Sequence, residues 1–237
     1  SAYLMTWEDL TDVMIKAYSW NHVILESETQ IFDPFVQKIT VELAEQGRGT
    51  PLEAQGYLQK VYWQKKTLLA IETMNLERNL LHFYYYPRGR GNQVSIHTQT
   101  ERNFSDIEVR TMDWNRALKE MNIHTREVSL YKDAALNIFY QVGDEESFIL
   151  IEKDRYRIHS IYTTIHTSKK SHQVTIRFRE FLRYRRQNYP KVTEYYVDGY
   201  LFKRTTISQF SRPARLPHTA LYQLAKKWHP RSTVSIK

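Results

Sequence analysis

The sequence predicts an α+β fold, with N-terminal helices packed on a curved, mainly antiparallel β-sheet and a further helix near the C-terminus. Three observations predict it. Apolar residues recur at helical spacing in the first third, the pattern changes to period two from Leu80, and 17 tyrosines in 237 residues favour half-buried pleated surfaces. With 41% hydrophobic residues the chain can build a proper core, and with only 7 glycines it favours long regular elements over Gly-rich phosphate loops.

The elements follow in order. Residues 7–25 place Trp7, Leu10, Met14 and Ala17 on one helical face. Asp33 as N-cap and Pro34 at the first helical position announce a second helix, striped by Phe35, Val36, Ile39 and Leu43 and ending near Gly47. Thr50, Pro51 and Glu53 form a capping box for a third, which extends to about Asn79 and offers Leu58, Val61, Leu68 and Leu69 for packing. Strands Leu81–Tyr86 and Val94–Thr100 then flank a loop at 87–92. Ile107–Thr111 is a further strand, and Asp113 caps a short helix through Met121. Val128–Val142 contains one or two strands closed by a turn at 143–146, and Phe148–Lys153 and Ile158–Thr167 continue the sheet. The clearest hairpin joins Val192–Val197 to Tyr200–Ile207 through Asp198-Gly199, because Asp-Gly supplies the two positive φ angles of a type I′ turn. That register sets Tyr195 opposite Phe202 and Glu194 opposite Lys203. A last helix runs from Pro217 to about Trp228, with Leu221, Leu224, Ala225 and Trp228 on one side. Without repeats or linkers, the chain reads as a single domain over 1–237. It comprises an acidic helical part (1–79), a sheet with a basic face (80–215), and a C-terminal helix and tail (216–237).

Charge is sorted along the chain. Residues 1–46 hold 2 lysines against 8 carboxylates, a net of −6, whereas residues 151–237 hold 19 Lys or Arg against 5 carboxylates, a net of +14. The basic residues are interleaved with Tyr, Phe and Trp, as a surface meeting a polyanion requires. The sharpest segment is Val174–Arg186. As a strand it has one apolar face (Val174, Ile176, Phe178, Leu182, Tyr184) and one arginine ladder, Arg177, Arg179, Arg183 and Arg185. Same-face residues repeat at roughly 6.6 Å, comparable to successive phosphates of an extended strand, and arginine can both grip phosphate oxygens and stack on a base. Arg186, Lys169, Lys170, Lys203 and Arg204 extend the face, Phe181 and Tyr189 are stacking candidates, and Arg88 and Arg90 form a second basic loop.

These residues make a non-enzymatic nucleic-acid-binding domain the leading reading, holding RNA or single-stranded DNA mainly through phosphates, with the acidic helices turned toward a protein partner. The competing structural reading is a solvated face whose arginines are already paired with carboxylates; the same segment also fits a helix stopped by Pro190. A second function class is a structural subunit of a secretion or conjugation machine. Helices followed by a long antiparallel sheet share the element order of an NTF2-like arrangement, and the oppositely charged ends would meet between subunits. A third is an enzyme whose acids and bases meet only in three dimensions, among Asp106, Glu108, His159 and His166.

Chemistry motifs are otherwise absent. There is no His-Glu-x-x-His and no P-loop, none of the 26 carboxylates has a lysine two positions later, and zero cysteine removes disulfides, thiolate metal sites and cysteine nucleophiles. No cofactor and no metal site is predicted. No apolar run approaches the roughly 20 residues of a membrane span, and the opening residues lack a signal-peptide pattern. The chain reads as soluble, or as the soluble part of an anchored protein. Nucleic-acid binding would place it in the cytoplasm or nucleus; a disulfide-free periplasmic protein is equally compatible with the composition.

Overall fold

The computed structural model describes residues 4–17, 22–32, 56–64, 67–85, 94–96, 118–119, 121–166, 170–184 and 187–228. In chain order they form α1 (Trp7–Ala17), β1 (His22–Ile31), β2 (Tyr57–Gln64), β3 (Thr67–Met74), β4 (Leu80–Tyr85), β5 (Val94–Ile96), β6 (Val128–Lys132), β7 (Ile138–Gly143), β8 (Phe148–Glu152), β9 (Ile158–His166), β10 (Ser171–Tyr184), β11 (Gln187–Val197), β12 (Tyr200–Ser211) and α2 (His218–Trp228). The described residues are nearly all β, in antiparallel pairing. This corrects the predicted α+β class of helices packed on a sheet.

The error lies in the first 79 residues. Helix α1 ends at Ala17 rather than continuing to residue 25, because from His22 burial alternates and Val23, Leu25, Ser27 and Thr29 are the buried set of a strand. The helix predicted to reach Asn79 is instead the hairpin of β2 and β3. Val61, Tyr62, Trp63, Thr67, Ile71 and Thr73 are β-branched or aromatic residues that suit a pleated surface, and β2 also pairs with β1 along its whole length. Local spacing of leucines fitted a helix; the pairing partners decided otherwise. The predicted helix at 33–47, the start of the third at Thr50, the loop at 87–92 and the strand at 107–111 lie outside the described residues.

By contacts the chain divides into two compact units, residues 1–19 with 107–204 and residues 20–106 with 205–237, so that β12 begins in one and ends in the other. In the first, the strand order is β12-β11-β10-β9-β8-β7-β6. Its α1 begins with a reciprocal cap: Thr6 Oγ1 accepts the Asp9 N–H (3.2 Å) and Asp9 Oδ2 accepts the Thr6 N–H (3.0 Å). The core row runs Val142, Ile149, Ile161, Ile176 and Tyr195, in register across β7 to β11 and nowhere more than 5% exposed. Each such side chain contributes about 1.5–3 kcal/mol by burial. Leu118 and Ile123 are buried too, and Thr163 Oγ1 donates to the Met121 carbonyl (2.8 Å), tying that segment to β9. At Gly143 (φ 118°) a Cβ would lie 2.3 Å from the Ser147 carbonyl oxygen, so the turn into Asp144–Ser147 requires glycine.

In the second unit the order is β5-β4-β3-β2-β1-β12. One face carries Tyr62, Leu69, Ala70, Phe83 and Tyr85, which pack with Leu216 and with Leu221 and Ala225 of α2. The helix thus covers that face, with Lys226 and Lys227 placed in its last turn where the helix dipole favours cations. The opposite face holds Leu25, Val61 and Ile71 in register, beside the paired Val23 and Trp63; all five are buried.

Candidate functional site

Strand β10 is indeed a strand, with Arg177 and Arg179 alternating against the buried Val174, Ile176 and Phe178. Its neighbour β11 brings Glu194 opposite Arg177. Glu194 is only 4% exposed, and three donors converge on it. Arg179 Nε lies 3.2 Å from Oε2 and Arg204 Nη2 lies 3.0 Å from Oε1, while the Tyr196 hydroxyl donates to Oε2 at 2.9 Å. Arg177 stacks its guanidinium 5.0 Å from the Tyr196 ring centroid. Burial, then the hydrogen bond and charge of Glu194, hold the Tyr196 phenol above its ordinary pKa, so it stays a neutral donor.

The other basic candidates are similarly engaged. Lys203 is fully buried with its ammonium 4.4 Å from the Tyr195 ring centroid. Phe181 lies 4.4 Å under the Arg157 guanidinium, itself bidentate to Glu152 at 2.9 Å on both oxygens. Tyr189 is 7% exposed. Tyr189 is thus buried, and Arg157 covers one side of the half-buried Phe181 ring. Lys170 is exposed, and its charge helps to lower the Asp198 pKa. Arg183 is paired through its backbone with Asn188. Arg88, Arg90, Lys169, Arg185 and Arg186 lie outside the described residues, as do Asp106 and Glu108. The hairpin turn has its two positive φ angles at Asp198 (49°) and Gly199 (85°). Across this hairpin Glu194 meets Arg204 and Tyr195 meets Lys203.

Each of the three histidines of the basic third's strands and loops, His159, His166 and His172, meets a hydroxyl or a carboxylate. His166 Nδ1 meets Ser171 Oγ (2.7 Å), and His172 Nδ1 meets Asp198 Oδ2 (2.8 Å). His159 Nδ1 meets Ser160 Oγ (2.9 Å), with its ring 5.0 Å from that of Phe139. Desolvation, with Arg177 and Arg179 adding to it against Glu152 and Asp133, lowers the His159 pKa. Among the described residues no group of three His, Asp or Glu side chains could hold a metal ion.

What sequence reasoning missed is the apolar face of the second unit. Val23 and Leu25 had been placed in a helix, as had Val61, Trp63 and Ile71. The signal was present in the alternation of His22–Ile31 and in the aromatic, β-branched run of β2. That face contrasts with its partner face, where Tyr62 donates to Glu72 Oε2 (2.6 Å) and Lys60 pairs with Glu26 Oε1 (3.0 Å). Burial and then the Glu72 carboxylate push the Tyr62 phenol far above its ordinary pKa.

Comparison with solved structures gives the fold a precedent. The chain is similar to a domain provisionally assigned to outer membrane lipoprotein sorting from Vibrio parahaemolyticus, with TM-score 0.51 and 9% identity, covering 93% of this chain and 98% of that one. It is similar also to a LolA superfamily protein from Nitrosomonas europaea, with TM-score 0.52 and 9% identity, covering 92% and 97% of the two chains. No protein-family model matches, and no curated protein matches significantly. The architecture is thus LolA-like. The nucleic-acid reading is corrected: Arg179 and Arg204 are held by Glu194 and Arg177 lies on the Tyr196 ring, and the solved structures with this fold include one assigned to lipoprotein sorting. The NTF2-like element order is corrected with it, because segments predicted as helices, 22–25, 57–64 and 67–74, lie in the strands β1 to β3.

Proposed function

We propose that this chain is a carrier for an acyl-chain ligand, a lipid or the lipid moiety of a lipoprotein, held against the apolar face of β1–β3. The observation that carries the reading is that face itself. Leu25, Val61 and Ile71, with Val23 and Trp63, give a contiguous strip of branched and aromatic carbon without a charged group, on a sheet whose other face α2 already fills. An antiparallel sheet ordinarily packs one face and leaves the other wet; here both are apolar, and the strip is at most 8% exposed, so a ligand on it enters by displacing what covers it. Hydrocarbon recognition needs such a strip, because burying a methylene is worth about 0.8 kcal/mol and needs no directional partner. The lipoprotein-sorting assignment of the Vibrio neighbour agrees with it.

On this reading the protein works in the bacterial periplasm, a compartment its lack of cysteine permits. Among the described residues no helix is long and apolar enough to cross a membrane. The test is twofold. Mass spectrometry of an organic extract of the purified protein should find acyl lipids, and cis-parinaric acid should bind saturably and be displaced by palmitate. Val61→Ala together with Ile71→Ala should weaken that binding by on the order of tenfold, as removing several methyl contacts does. A protein that carries no lipid and binds no acyl probe refutes the proposal.

A further inference from the structure

The hairpin of β6 and β7 ends in the turn Asp133–Asn137, and its residues are unlike those of an ordinary solvent-facing tip. Leu136 is 68% exposed and sits at φ 66°, the left-handed region that branched L-residues avoid. Glycine or asparagine would satisfy that turn without strain. The turn is nevertheless firmly built: Asn137 N–H donates to Asp133 Oδ1 (2.8 Å) and its side-chain amide to Oδ2 (2.9 Å), and the Leu136 N–H donates to the Asp133 carbonyl (3.0 Å). A rigid scaffold therefore holds a leucine outward at a position that selects against it.

The surroundings identify what the leucine meets. Ile138 (44% exposed) and Leu130 (48%) lie on one face of the hairpin, and Tyr131 (42%) on the other. Ile138 is flanked by cations on both sides, opposite Lys132 in β6 and bonded through its carbonyl to the Lys153 N–H (3.1 Å) in the next turn. The acids nearby are Asp133, whose oxygens the turn uses, Glu152, which holds Arg157, and the exposed Asp154. Apolar side chains at a protruding tip, a tyrosine at their base and lysines beside them are the arrangement that enters a bilayer interface, with the lysines at anionic headgroups. A protein partner would need a surface of about 800 Å² on this side, which a five-residue turn does not offer.

We propose that the β6–β7 tip is a membrane-docking element that seats the first unit on an anionic bilayer surface. It stands apart from the acyl-ligand reading, which concerns residues of the other unit. The experiment is co-sedimentation of the full chain with vesicles of phosphatidylethanolamine and phosphatidylglycerol, and with vesicles of phosphatidylcholine alone. The wild type sediments with the first and stays in solution with the second. Leu136→Gly weakens sedimentation by on the order of tenfold, as loss of one inserted leucine does. It melts no lower than wild type, since it relieves the turn, and still binds cis-parinaric acid as the wild type does. Lys132→Glu with Lys153→Glu abolishes the preference for phosphatidylglycerol. The proposal is overturned by a wild type that ignores the anionic vesicles, as it would if the tip seated a protein. Equal sedimentation with phosphatidylcholine, or a Leu136→Gly variant that sediments unchanged, overturns it as well.

Discussion

Glu194→Gln is the most informative single substitution in this chain. It preserves shape and removes only the charge on which Arg179, Arg204 and Tyr196 converge. A hydrogen bond to a charged group contributes about 1.5–3 kcal/mol, and breaking a buried ion pair costs about 3–5 kcal/mol. The guanidinium side chains, however, are 52% and 38% exposed, so water recovers much of what they lose. The carboxylate side chain is 5% exposed and cannot be so compensated. The net expectation is about 2 kcal/mol of destabilisation, and at roughly 2–4 °C per kcal/mol for a chain of this size the Tm falls by about 4–8 °C. Circular-dichroism melts and urea titrations at neutral pH measure it, with an unchanged m-value showing that the fold is kept. The loss persists at high salt, because the carboxylate is shielded from counter-ions. Arg179→Gln, which leaves Arg204 on the carboxylate, should cost less than about 1 kcal/mol. A Glu194→Gln protein within about 0.5 kcal/mol of wild type would show that the arginines are not held by this carboxylate, and the account of the basic face would fail.

Two further expectations follow from the turns. Gly143→Ala places a Cβ 2.3 Å from the Ser147 carbonyl oxygen at φ 118°, so it should destabilise by more than about 2 kcal/mol or reduce soluble yield, read by the same melts. Asp198 is held below the ordinary carboxylate pKa, first by His172 and then by the Gln173 N–H. The unfolded chain therefore binds a proton more readily, so the stabilisation is fully present above the unfolded pKa of about 4 and is lost as pH falls through the lower folded value. The pair is exposed and screened, which limits it to less than about 1 kcal/mol. Urea midpoints for Asp198→Asn and wild type should differ at pH 6 and converge in strong acid; parallel curves throughout would remove the linkage.

The later two-thirds of the fold was largely legible, and the reason is local. Strands β7 to β12 are bounded by turns whose chemistry is written in a few residues: Asp133 and Asn137, Gly143 with Asp144, Asp198 with Gly199. Strands β1 to β3 have one such turn, Asn75–Asn79 after β3 (Asn79 N–H to Asn75 Oδ1, 2.8 Å), and it does not betray the strands before it. Their identity depends on pairing His22–Thr29 with Tyr57–Gln64, a contact between residues 28 to 42 positions apart that no short-range spacing reveals. The apolar face was lost with those strands. Arg177 and Arg179 do alternate along a strand, but the carboxylate that meets them comes from β11 and a further arginine from β12, partners that the segment's own pattern does not reveal.

Those partners change what the charge sorting means. Three acids that meet the basic face, Glu194, Glu152 and Asp198, come from the same C-terminal third as the arginines. One carboxylate is shared by Arg179 and Arg204, with Arg177 across the strand pair, and residues 151–237 as a whole keep their net charge of +14. A shared buried carboxylate fixes the two guanidinium planes, and a face whose cations are fixed in a hydrogen-bonded network cannot follow the irregular spacing of a flexible phosphate chain. The residual charge can still favour residence near an anionic surface, where only a diffuse field is needed. Such a field and a tip bearing Leu136 act in the same direction without sharing a residue. Raising salt should therefore weaken vesicle binding of the wild type while leaving its Glu194-dependent stability in place, two readouts that a single exposed arginine surface would force to change together.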